Sequence, residues 1–64
     1  MKMKSVSDTK YISENGWHMA REYGSSPSGS LLDGQWVLRD EFNGFVDFDR
    51  YRHDLAEKYN IELY

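Results

Sequence analysis

Ile12-Ser13-Glu14-Asn15-Gly16-Trp17-His18-Met19-Ala20-Arg21-Glu22-Tyr23-Gly24 is the stretch whose reading decides the fold. Plotted at 100° per residue, Ile12, Gly16, Met19, Ala20 and Tyr23 share one face, and Glu14, His18, Arg21 and Glu22 share the other. That amphipathic pattern predicts a helix ending at Gly24. Two starts are compatible with it. Ser13 caps a short helix, or Asp8 caps a longer one that tolerates Gly16 at about 1 kcal/mol. Before it, residues 1 to 9 read as a flexible basic tail. After it, Ser25-Ser26-Pro27-Ser28-Gly29-Ser30 holds the only proline and reads as a loop.

Between Leu31 and Phe48 the periodicity shortens to that of strands, with turn signals at Asp33-Gly34 and Asn43-Gly44. A loop of Phe42, Asn43 and Gly44 sorts the flanking residues best, with Gly44 in the left-handed conformation. It sets Arg39 opposite Asp47 and Leu38 opposite Phe48. Trp36, Leu38, Val46 and Phe48 then form a core wall, and Val37, Arg39, Glu41, Phe45 and Asp47 face outward. Leu31 and Leu32 either add a first strand through Asp33-Gly34, making a three-stranded meander, or pack as a loop. A last helix follows, capped by Asp47 or Asp49, with Phe48, Tyr51, Leu55 and Tyr59 as its apolar stripe, Asp54 and Lys58 as an i, i+4 pair and Asn60 just beyond its end. Ile61-Glu62-Leu63-Tyr64 alternates, as an edge strand or as a segment tucked beneath the sheet. The expected fold class is a small single α+β domain over residues 10 to 64, comprising an N-terminal helix, an antiparallel hairpin or meander, a C-terminal helix and a short terminal strand.

A chain of 64 residues buries only about 60% of its unfolded surface. Aromatics at 16% supply the core that a charged fraction of 30% would otherwise deny it. There is no cysteine, no signal-peptide apolar region and no membrane-length apolar run, so a cytoplasmic, soluble protein is expected. Charge is unevenly spread. The net value is −3, but residues 1 to 10 carry +2, and the stretch 33 to 49 carries −4 from Asp33, Asp40, Glu41, Asp47 and Asp49 against Arg39.

Motifs for chemistry fail on spacing. His18 and His53 fall on separate elements with no HExxH or i, i+4 partner, so no zinc site is expected. An EF-hand loop centred on Gly44 would need Arg39 and Arg50 as calcium ligands, which excludes it. The Asp47 and Asp49 pair has no water-excluding pocket to raise a carboxylate, and helix capping accounts for both. Ser25, Ser26, Ser28 and Ser30 lack a neighbouring base, and Gly24 and Gly29 lack a phosphate-loop lysine. No enzyme, metal or cofactor is expected. Arg50, Arg52 and Lys58 interleave with Tyr51 and Tyr59, but Asp49, Asp54 and Glu57 neutralise them, so direct nucleic-acid binding is not expected.

Protein binding remains. Phe42 and Phe45, exposed beside Asp33, Asp40, Glu41, Asp47 and Asp49, form an expected partner-binding surface in which rings anchor and carboxylates steer towards a basic, partly apolar protein. The competing view has Phe45 packed under Leu31 and Leu32 and the acids merely solvated. In length, acidity, aromatic content and lack of cysteine, over the whole chain and without a shared motif, the protein resembles small phage-encoded inhibitors of host defence, including anti-CRISPR proteins. That resemblance implies a cofactor-free inhibitor, in the host bacterial cytoplasm, that occupies a basic nucleic-acid-binding surface of a larger complex such as a CRISPR effector, as a duplex mimic or a steric plug. The alternative is an accessory or antitoxin-type subunit completed by a partner or by self-association. A monomer or weak homodimer is expected, with no membrane partner.

Overall fold

In a computed structural model, which describes residues 1–26, 29 and 31–64, strands take up most of the chain. They are β1 Lys2–Ser7, β2 Lys10–Ile12, β3 His18–Ser25, β4 Leu31–Arg39, β5 Phe45–Asp49 and β6 Glu62–Leu63, with a helix, α1 Arg52–Lys58, before the last. They form one sheet in the order β5-β4-β3-β2-β1-β6. β1 to β5 run as an antiparallel meander, and β6 returns to pair parallel with β1 at the far edge. The expected α+β order with helices at both ends is therefore wrong: among the described residues the only helix is the seven-residue α1.

The stretch 12 to 24 is a hairpin, not a helix. Gly16 has φ +92°, which no α-helix contains, and Ser13 to Gly16 closes a turn through the Gly16 N–H to Ser13 carbonyl bond at 3.2 Å. The supposed apolar face is not one, because Ile12 and Tyr23 are exposed. Met19 lies inside under either period. What fixes the strand is its neighbours, since Met19 is paired with Tyr11 on one side and Leu38 on the other and is fully buried.

Residues 1 to 9, read above as a tail, instead supply β1. Met3 is wholly buried between exposed Lys2 and Lys4, as strand alternation requires, and pairs with Leu63. The Asp33-Gly34 signal marks no turn either. β4 runs straight through it, and Gly34, at φ +87°, is the extra residue of a bulge between the Glu22–Gln35 and Tyr23–Asp33 pairs. Of the expected serine-rich loop, Pro27, Ser28 and Ser30 lie outside the described residues.

The β4–β5 hairpin forms, in a different register. Arg39 pairs with Phe45, Leu38 with Asp47 and Val37 with Phe48, with an irregularity that makes Val46 the unpaired residue. The loop is thus Asp40 to Gly44, and Asn43 rather than Gly44 takes the left-handed conformation, at φ 65°. One face carries Met3, Met19, Trp36 and Leu38, closed over by Leu55, Ala56 and Ile61. At roughly 25 cal/mol per Å², burying such side chains is the main favourable term for a sheet this small. Val37, equally buried, points to the other face with Phe48, Ala20 and Arg39.

α1 begins later than expected. Its N-cap is Tyr51 with no side-chain cap, so neither Asp47 nor Asp49 caps it, and Phe48 belongs to β5. Leu55 is core, but Tyr51 and Tyr59 of the expected stripe are exposed. Asn60 closes the helix at φ 55°, its N–H bonded to the Glu57 carbonyl at 3.2 Å. Ile61 is buried and Glu62–Leu63 is the edge strand, so the terminal segment does both things its alternation allowed.

Candidate functional site

The β4–β5 hairpin carries two chemically opposite ends. At its closed end, the Asp40 N–H donates to the Gly44 carbonyl at 3.0 Å and the Asn43 N–H to the Asp40 carbonyl at 3.0 Å. The Asp40 carboxylate then accepts the N–H groups of Phe42 and Gly44 at 2.9 and 2.8 Å. A short acidic side chain at the first loop position is what such a turn requires, because it satisfies donors that the ladder leaves free. The outcome is a fixed loop with Phe42 84% exposed at its tip and Glu41 exposed beside it.

The other expected partner-binding residues are dispersed. Phe45 is half-buried, 6.0 Å from the Phe48 ring and under the Arg39 guanidinium at 6.0 Å. Arg39 itself forms a two-pronged pair with Glu22, at 2.6 and 2.7 Å, and donates to the Asn43 carbonyl at 2.9 Å. The hydrogen bond from Arg39 outweighs burial and holds the Glu22 carboxyl below its ordinary value. Asp47 faces α1. Burial works to raise its carboxyl, but hydrogen bonds from Tyr59 Oη at 2.8 Å, the Phe48 N–H at 2.7 Å and Lys58 Nζ at 3.2 Å prevail and lower it. Asp49 shares Lys58 at 3.7 Å. Asp33 lies at the far end of β4, where its N–H meets the Gln35 side chain. Of the seven expected contact residues, the structure gathers Asp40, Glu41 and Phe42 at the tip, places Phe45 behind it, ties Asp47 and Asp49 to the helix, and sends Asp33 to the opposite end.

That opposite, open end holds a feature the sequence reading missed. A solvent-open groove of about 570 Å³ lies between β3, β4 and the Arg50-Tyr51-Arg52-His53 segment leading into α1. Trp36 is its nearly buried floor. The Arg21 guanidinium sits 6.0 Å from that ring, and the Arg52 guanidinium 5.9 Å from it and 5.9 Å from the Tyr11 ring. Tyr51 and His53 stack at 5.6 Å and 26°. The arginines were read as neutralised by neighbouring acids, but sequence proximity is not pairing: Asp49 turns to Lys58, and Asp54 to His53 at 3.3 Å. Among the described residues, Arg21, Arg50 and Arg52 have no ion pair. The visible signal was the arginine and aromatic alternation at 50 to 53; Arg21, 29 positions before Arg50, could be joined to it only by strand pairing.

Among the described residues no helix is long and apolar enough to cross a membrane, and no group of three His, Asp or Glu is placed to hold a metal ion. No family model, curated protein or solved structure matches the chain.

Proposed function

We propose that the chain is a small non-enzymatic interaction protein that uses its closed hairpin end to occupy a basic, partly apolar surface of a larger nucleic-acid-binding complex, in the manner of anti-CRISPR inhibitors. The observation that carries this reading is Phe42, a ring 84% exposed on a loop whose conformation Asp40 fixes in advance. A preorganised aromatic loses little freedom on binding and is the kind of residue on which interface energy concentrates. Glu41 adds steering charge, and the chain's net −3 favours basic over acidic partners. Asp47 and Asp49 weaken as steering groups because Lys58 offsets one of their two charges and holds both against α1. The reading therefore narrows from a broad acidic face to a ring with one free acid, which suits a plug better than a duplex mimic.

Competition tests it. Purified CRISPR effector complexes loaded with guide RNA are assayed for target-duplex binding with increasing amounts of the protein. The expected result is block of duplex binding by one or more effectors, loss of the block with Phe42→Ala and a weaker, less salt-dependent block with Glu41→Lys. Both variants should melt like the parent, since both positions are exposed. Folded protein that competes with no effector overturns the reading. A melting temperature that rises with protein concentration would favour instead the self-associating accessory subunit, to which exposed Leu31 and Val6 lend support.

A further inference from the structure

The open-end groove concentrates positive charge in a negative chain. Three arginines, Arg21, Arg50 and Arg52, line it with one acid, Asp33, and Asp54 meets its His53 at 3.3 Å. The mutual repulsion of the arginines has no compensating ion pair among the described residues. Two of them rest on Trp36 and Tyr11, which fixes their direction and accounts for their place in the fold. Arg50 has no such ring contact, and packing does not explain it. Beside it, Tyr51 is 52% exposed and stacked on an exposed His53, so an aromatic surface that contributes little to the core faces the groove.

We infer that this groove binds nucleotide units, the guanidiniums holding phosphate and the Tyr51–His53 pair offering its ring face to a base. A guanidinium presents paired N–H donors that match phosphate oxygens two at a time. Aromatic platforms beside such cations are how strands are held without sequence preference. The volume, about 570 Å³, lies within the roughly 300–1,000 Å³ of small-ligand sites, and its open side lets a strand enter and leave. The ligand chemistry is shared by a free mononucleotide and a single strand. It is independent of the Phe42 tip, which lies at the other end of the same hairpin.

The test uses the full chain at low salt with four probes: inorganic phosphate, a mononucleotide, a fluorescent ten-base single strand and its duplex. Tryptophan quenching or anisotropy reports binding. Saturable binding of the mononucleotide or the single strand is expected. Tighter binding of the strand identifies a polymer ligand, whereas equal affinity identifies a free nucleotide. For the strand, log K should fall with log salt with a slope near −2, from roughly −0.7 for each phosphate met by one of three arginines. Arg50→Gln should weaken binding about tenfold, as loss of a charge-assisted contact does. Tyr51→Ala should abolish the preference for nucleotide over inorganic phosphate. Phe42→Ala should leave all of this unchanged, so failure here is distinct from failure of the proposed function. No binding by the folded chain, binding of inorganic phosphate with no gain from a base, preference for the duplex, or an Arg50→Gln variant that binds like the parent would overturn the inference.

Discussion

Ser13-Glu14-Asn15-Gly16-Trp17 and Asp40-Glu41-Phe42-Asn43-Gly44 are the same loop built twice. In both, the first N–H bonds to the fifth carbonyl, at 2.9 and 3.0 Å, and the fourth N–H bonds to the first carbonyl, at 3.2 and 3.0 Å. In both, the fourth residue alone has positive φ, at 92° and 65°. This is a type I turn followed by one left-handed residue, a common longer hairpin connection. The loops differ in what holds them. Asp40 grips its own loop through two backbone N–H groups, and Arg39 adds a bond to the Asn43 carbonyl. In loop 13 to 17 the Ser13 hydroxyl meets the Asn15 side chain and donates to the Trp17 carbonyl at 3.1 Å, and the Trp17 N–H donates to Asn15 Oδ1 at 3.3 Å; its glycine is needed besides, because an added Cβ would stand 3.0 Å from the Glu41 Cβ of the neighbouring loop. Both loops are held by side chains; the first also needs a residue without one at its left-handed position, where the second has Asn43.

The severest break should come at Gly16. Gly16→Val places a β-branched residue in the left-handed region, which alone costs an L-residue about 1–2 kcal/mol, and drives its Cβ into Glu41. A loss of at least about 2 kcal/mol is expected, visible in thermal melting as a fall of roughly 10 °C. A parent-like melt would show that the twin loops do not touch.

Next is Asp40→Ala, which strands two backbone donors at the tip and should cost about 1–2 kcal/mol in chemical denaturation. Asp40→Asn keeps an acceptor and should lose less. If the two variants are equally destabilised, charge rather than hydrogen bonding holds the loop.

Acid should then separate the loops. The folded Glu22 carboxyl lies below its ordinary value of 4.5, so the stability it contributes is present above that value and is lost as pH falls through the lower folded one. Asp47 acts in the same direction. Hydrogen exchange at falling pH should show the Asn43 and Gly44 amides loosening before those of Gly16 and Trp17, because Arg39 connects Glu22 to the second loop. In Glu22→Gln the difference should largely disappear.

The smallest effect is expected for Asn43→Gly, which relieves an asparagine at φ 65° and should shift stability by less than about 0.5 kcal/mol. A larger loss would mean that the Asn43 side chain supports the tip.

How much of this was legible follows from the same two loops. At Asn43-Gly44 the turn signal was read correctly, yet the left-handed position was given to the glycine, because glycine is the usual occupant and the local bonds of Asp40 to the Phe42 and Gly44 N–H groups were not considered. The register then slipped, and Phe45 moved from an outer anchor to a half-buried place under Arg39. At Asn15-Gly16 the identical dipeptide was not taken as a turn, since Met19 and Ala20 fit the apolar face of a helix, whereas in the strand they point to opposite faces. Leu55 and Asn60 were read correctly because a helix interior and its end depend on local spacing.

By itself the sequence determined the local grammar: alternation in residues 36 to 39, the helical phase of Leu55, the left-handed Asn60, and a chain rich in acid but without chemistry motifs. Tertiary structure decided what those pieces became. Residues 18 to 25 are a strand because Tyr11 and Leu38 pair on both sides of Met19, and a hydrogen-bond ladder supplies what no single segment can encode. Charge was decided in the same way. Lys58 takes Asp47 and Asp49, Arg39 takes Glu22, and Arg21, Arg50 and Arg52 are left together around Trp36. Arg39 finds Glu22 across the sheet and Lys58 reaches from α1 to β5, and packing of separate elements, not distance along the chain, made those pairs.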